Sequence, residues 1–211
     1  MMKRLNTNTL LQAVNDLAGS DDELAKVVSM YGPPPLWERE AGFHTLIHII
    51  LEQQVSLASA QAAYNRLTQA VNPITPAGFL GLSDEELLKI GFSRQKTRYG
   101  RELAAAILNG NLNLPGLDNL EDEAAKVQLM KVKGIGAWTA NIYLLMALGR
   151  PDVWPSGDLA LLVALQRVKG LPGRPTPEDA FKISAAWQPW RAVAARLLWH
   201  FYLSEPGKGA R

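Results

Sequence analysis

The chain has 211 residues, 47% of them hydrophobic, with a formal net charge of +2 and no cysteine. That size and apolar content sustain a sizeable core, in one compact unit or two small lobes, while the lack of cysteine excludes disulfides, thiol catalysis, cysteine-ligated zinc and a cysteine-held iron–sulfur cluster. No apolar run is long enough to span a bilayer, and the opening MMKRLNTNTL holds no apolar signal core, so a soluble cytoplasmic protein is expected.

Almost every segment reads as helix. Leu10 to Leu17 is a short amphipathic run, and Ser20-Asp21-Asp22-Glu23 has the pattern of a capping box opening a second helix. Gly32-Pro33-Pro34-Pro35 stops that helix and marks a candidate lobe boundary. Phe43, Ile47, Ile50 and Leu51 then share one helical face. The polar stretch Glu52-Gln53-Gln54-Val55-Ser56 separates this run from a helix over Leu57 to Leu67. On its own it is a polar helix junction. Pro73 and Pro76 break the chain. Ser83-Asp84-Glu85-Glu86 is a second capping box, whose helix ends at Gly91. A basic turn, Phe92 to Lys96, leads into a helix over Thr97 to Leu108, and Leu120 to Met130 forms the next. Beyond Asp158 a helix runs to about Val168, Thr176-Pro177 pairs an N-cap with proline at the first helical position, and a last helix carries Trp199. No segment reads as a strand, so the fold class is all-α.

Two features invite a chemical reading. Lys131-Val132-Lys133-Gly134-Ile135-Gly136 lies between two helical runs, the second marked by Trp138, Ile142, Leu145 and Leu148. The first N–H groups of that helix have no intrahelical partner and, with the dipole, form an anion site flanked by two lysines. An ordinary αα turn with a glycine C-cap explains the same residues. The second feature is Asp158, at the start of a helix, where an N-cap role is the simplest reading. Basic residues gather in three places: Arg94, Lys96, Arg98 and Arg101; Lys131 and Lys133; Arg167, Lys169 and Arg174. They read either as solvated loop charge or as a discontinuous phosphate-tracking surface. His44 and His48 share a helical face, a spacing that suits a metal, although no HExxH surrounds them.

Together the two features are specific. VKGIGAWTA resembles the helix-hairpin-helix of the HhH-GPD superfamily of DNA base-excision glycosylases, and the Gly/Pro-containing loop Pro151 to Asp158 resembles its segment ending in an essential aspartate. Trp138-Thr139-Ala140 is similar to the 3-methyladenine DNA glycosylase II (AlkA-like) branch. The resemblance runs from about Trp37 to Tyr202. It implies two helical lobes flanking a central cleft, one over residues 36–148 and the other combining 1–35 with 149–211. It implies a monofunctional N-glycosyl hydrolase that flips out alkylated purines (3-methyladenine, 7-methylguanine) from duplex DNA and leaves an abasic site. A lysine stands in bifunctional relatives where Trp138 stands here, so no Schiff-base lyase step is expected.

The resemblance also distributes roles. Asp158 is the catalytic carboxylate, stabilising positive charge on the sugar. Trp138, Trp199, Phe43, Ile142 and Gln53 line the base pocket, each with core packing or a polar junction as the alternative. Gln54 is the plug that fills the gap left by the extruded base. Lys131, Lys133, Gly134, Gly136, Thr139, Arg94 and Lys96 contact phosphates. The backbone carbonyls of Met130, Val132 and Ile135 hold a monovalent cation, Na or K. No cofactor is required for the chemistry. The expected partner is duplex DNA with alkylated bases, met by a monomer in the cytoplasm, at the nucleoid if the source is bacterial, with no membrane or protein partner. A non-catalytic hairpin DNA-binding module, or a glycosylase for another lesion, is the alternative.

Overall fold

A computed structural model describes residues 4–205. In chain order the helices are α1 (Thr7–Ser20), α2 (Asp22–Tyr31), α3 (Phe43–Glu52), α4 (Leu57–Ala70), α5 (Pro76–Gly81), α6 (Asp84–Ile90), α7 (Arg94–Leu108), α8 (Asp122–Met130), α9 (Ala137–Met146), α10 (Leu159–Val168), α11 (Pro177–Ser184) and α12 (Arg191–Ser204). Two short 3₁₀ turns, Pro115–Asn119 and Ala185–Trp187, complete them. No strand occurs among the described residues, in keeping with the all-α reading. None of these helices is long and apolar enough to cross a membrane.

The chain forms two compact units, Met1–Glu38 with Gly149–Arg211, and Arg39–Leu148. In the Arg39–Leu148 unit, α3 is the central element. Phe43, Thr45, Leu46, Ile47, Ile49, Ile50 and Leu51 are all buried, as expected for a helix surrounded by protein. It packs against α4, α7 and α9. Helix α5 was not expected, because Pro73 and Pro76 read as breaks. Thr75 caps it and Pro76 takes the first turn, the same device that opens α11 at Thr176-Pro177. Its Phe79 lies so close to Gly100 of α7 that a Cβ there would meet the ring at 2.5 Å.

In the other unit, α12 is the buried element, with Ala192 to Trp199 all below a tenth exposed. Arg196 lies among them, 1% exposed. Its guanidinium donates to the carbonyls of Leu36 (2.9 Å) and Ala192 (3.0 Å), and burial pushes its pKa down to about 10. The expected capping box at Ser20 is corrected. Ser20 ends α1 and its hydroxyl bonds back to the carbonyls of Asp16 and Leu17. Asp21 is the cap of α2, accepting from the Leu24 N–H at 3.1 Å. The same carboxylate accepts from Lys169 Nζ (2.6 Å) and from Trp187 Nε1 (2.7 Å). Trp190 likewise donates to Asp16. Trp187 and Trp190 therefore hold this unit together. Glu205 closes α12 and pairs with Arg167; the glycine-rich tail beyond it lies outside the described residues.

Burial disfavours the Asp21 anion, but hydrogen bonds from Lys169, Trp187 and Leu24, with the Lys169 charge, outweigh that and hold its pKa below the ordinary 3.8. A depressed carboxyl contributes stability that is present above the unfolded pKa and lost as pH falls through the folded one. Asp21→Asn should therefore cost about 2 kcal/mol at pH 7. In urea unfolding that difference should shrink as pH drops below the ordinary carboxyl value; an undiminished gap in acid would contradict the charge-assisted network.

Candidate active site

The hairpin belongs to the Arg39–Leu148 unit. After α8, the N–H of Val132 bonds to Leu129 and that of Ile135 bonds to Val132 (3.0 Å), turning the chain toward α9. Gly134 sits at φ +95°, and a Cβ there would stand 2.2 Å from the Tyr99 ring. Glycine is needed on both counts. Gly136 differs. Its backbone is extended (φ −89°) and nothing lies within 4 Å of where its Cβ would be. It caps α9 with no side-chain hydrogen bond, so the first N–H groups of α9 open beside bare backbone. Lys131 and Lys133 are exposed beside them, Lys131 with its ammonium on Gln128 Oε1 (3.0 Å).

The end of α3 meets this hairpin. Gln53 Nε2 donates to the Gly134 carbonyl (3.0 Å) and to Thr139 Oγ1 (2.9 Å). The structure thus gives the Gln53 amide to the hairpin, where a base-pocket role was expected. Thr139, expected at a phosphate, is 2% exposed and accepts this bond. Gln54 follows, exposed, at φ +57°. A left-handed non-glycine residue costs about 1–2 kcal/mol, and such strain persists only where the surroundings impose it. Here they do. Lys96 Nζ donates to the Leu51 carbonyl (2.7 Å), and Arg39 grips Glu52 with two bonds of 3.1 and 2.7 Å. Burial lowers the Lys96 pKa.

The remaining candidates of this unit separate by burial. Trp138 is half-buried in the first turn of α9. Phe43 is 5% exposed, edge-on to Phe79 at 5.9 Å, and Ile142 is 2% exposed; both are core residues. Arg94 is exposed in the first turn of α7, which begins three residues earlier than expected because Ser93 caps it. Arg101 is committed to Asp84 and to the carbonyls of Leu80 and Leu82. His48 stacks on Tyr64 (4.1 Å) with Nε2 3.7 Å from Glu52, and His44 faces Glu40 at 4.0 Å. Among the described residues no group of three or more metal-ligating side chains gathers.

Asp158 belongs to the other unit and does cap α10, its Oδ1 accepting from the Leu161 N–H at 2.9 Å. The same oxygen accepts from Trp199 Nε1 at 3.1 Å. Trp199 is 8% exposed and lies edge-on to Trp37, with ring centroids 6.4 Å apart. Trp37 was read only as the edge of the family resemblance. It holds φ +47°, directly after Leu36, whose carbonyl is tied by Arg196. An aromatic residue at the end of a proline run was the one signal available for it. Lys169 pairs with Asp21 and Glu23, and Arg167 with Glu205, while Arg174 is exposed.

Residues 47–189 match the family model described as the HhH-GPD superfamily base excision DNA repair protein. The chain belongs to that superfamily. Its HhH-GPD relatives include DNA-3-methyladenine glycosylase 1 of Schizosaccharomyces pombe, 30% identical over 90% of this chain and 87% of the relative. YfjP of Bacillus subtilis is 27% identical over 85% of this chain, which spans only 66% of that relative's length. Among solved structures, S. pombe 3-methyladenine DNA glycosylase (Mag1) in complex with abasic DNA superposes with a TM-score of 0.83 at 29% identity, covering 89% of this chain and 95% of that one.

The two hairpin glycines should separate on substitution. Gly134→Ala forces a Cβ into Tyr99 at a left-handed position and should cost about 2 kcal/mol or more. Gly136→Ala should stay within about 0.5 kcal/mol of wild type. Thermal denaturation of both variants checks this, and equal losses would contradict the open surroundings of Gly136.

Proposed function

We propose that this protein is a monofunctional DNA glycosylase that excises alkylated purines of the 3-methyladenine and 7-methylguanine type from duplex DNA. The observation that carries the reading is Asp158, fixed through one carboxylate oxygen by the Leu161 N–H and the Trp199 indole. As the glycosidic bond breaks, positive charge grows on the sugar, and a preorganised carboxylate stabilises it without reorganising. The carboxylate also orients the water that completes hydrolysis. Trp138, half-buried, and Trp199, 8% exposed, are the two aromatic side chains that would stack on a cationic methylpurine. No lysine stands at Trp138, so the product is an intact strand with an abasic site.

The hairpin would seat one backbone phosphate on the first N–H groups of α9, with Lys133, Lys131 and Arg94 adding charge. The neutral carbonyl oxygens of Met130, Val132 and Ile135 suit a monovalent cation, which would add positive charge at that phosphate; the Val132 oxygen accepts one hydrogen bond and keeps a second lone pair for it. Gln54, exposed at the α3–α4 turn, would fill the space left by the extruded base. The names of the S. pombe relatives, DNA-3-methyladenine glycosylase 1 and the abasic-DNA complex, support the same substrate class.

The test is base release from methylated duplex DNA, with products analysed for free base and for strand breaks. Wild type should release methylpurines without nicking. Asp158→Asn should bind duplex within about threefold of wild type and lose at least about a hundredfold in release; undiminished turnover would overturn the catalytic assignment. Lys133→Ala should weaken all duplexes alike and reduce the salt slope by about 1. An effect confined to one lesion would exclude a phosphate contact.

A further inference from the structure

We infer that Gln53 is a positioning residue that couples the hairpin to the plug. The inference rests on the reading of Gln54 as the plug and of the hairpin as the phosphate grip. The geometry lies within one unit. A single amide nitrogen, Gln53 Nε2, bridges the Gly134 carbonyl and Thr139 Oγ1 on either side of the α9 N-terminus. The next residue is Gln54, exposed and left-handed. Every residue leading to it is tethered: Leu51 by Lys96 of α7, Glu52 by Arg39, Gln53 by the hairpin. The Lys96 and Arg39 tethers fix the end of α3 to the unit at large. Of these three tethers, the Gln53 one ends on the hairpin itself, at Gly134 and Thr139. The hairpin and the plug therefore move as one piece, and seating the hairpin on a phosphate presents Gln54 already in its strained, inserted form. Without the Gln53 amide, Gln54 relaxes toward ordinary backbone geometry and extrusion loses its wedge, while the phosphate grip stays.

Gln53→Met keeps length and removes the donor. Single-turnover release is measured on duplexes with 7-methylguanine paired with cytosine or mispaired with adenine. The variant should lose about tenfold on the paired duplex and less than about twofold on the mispaired one, with duplex affinity within about twofold of wild type. Adding Gln54→Ala to Gln53→Met should then change the paired rate by less than about twofold, because both act through one element. Equal loss on both duplexes, fully multiplicative effects, or an unchanged paired rate would each overturn the coupling. Gln53→Glu, which sets a carboxylate against the Gly134 carbonyl, serves if the methionine variant does not fold. Insertion is also read without chemistry, from the fluorescence of 2-aminopurine beside a tetrahydrofuran abasic analogue. Most of the wild-type change should vanish in either variant, and its persistence would overturn the coupling. Failure of wild type to release any base would instead count against the proposed activity and leave this fluorescence test intact.

Discussion

Helix α3 is buried on nearly every face, and its C-terminal end has to surface somewhere. That end carries carbonyls without intrahelical partners, and solvent cannot satisfy those that remain inside. The structure answers with the Lys96 charge on the Leu51 carbonyl, while Arg39 separately clamps the Glu52 carboxylate with two bonds. The chain that leaves is held on three sides before it reaches Gln54. The strained residue at the exposed turn follows directly on these three tethered positions. The same interior that supplies stability would also supply the rigidity that the proposed wedge needs.

The other unit solves a related problem at Asp158. A carboxylate stabilising a cationic transition state must hold still. One oxygen takes the backbone N–H of Leu161 and the indole N–H of Trp199, so helix capping and the proposed chemistry are compatible jobs of one side chain. Trp199 is fixed in turn on the most buried helix of its unit, and the adjacent Trp37 is positioned by a connector whose carbonyl the buried Arg196 holds. A hydrogen bond made by a charged group contributes about 1.5–3 kcal/mol, which ties the connector to α12.

Much of this was legible in the amino-acid order. Apolar residues at helical spacing and the capping signals at Ser83 and Thr176 mark their elements because they act locally, within one turn. The same rule located Asp158 at a helix start. The errors also have physical reasons. Thr75-Pro76 opens a helix, yet it was read as a break because Pro73 stands just before it. Ser20 lost its capping role to Asp21 because Lys169 and Trp187, more than 140 positions away, reward that carboxylate. Gln53 looked like part of a polar junction, and nothing local reveals that its amide reaches residues 134 and 139. Long-range partners decide which polar side chains are committed, and a sequence read residue by residue does not contain them.

The charges make the same point and bear on how DNA is held. The three basic clusters suggested a tracking surface, but Arg101, Arg167 and Lys169 are each spent on acidic neighbours, and Lys96 on a backbone carbonyl. What stays exposed of the first two clusters is Lys131 and Lys133 at the hairpin, with Arg94 and Arg98 on α7. Each of these cations that meets a phosphate adds a salt-dependent increment through counterion release. In the proposed reading, directed backbone N–H groups at α9 would act together with that charge. Gly136 leaves that terminus open, with nothing within 4 Å of where its Cβ would stand. A grip made of a few short, oriented bonds fixes register as well as affinity, and register is what a wedge on a neighbouring turn requires.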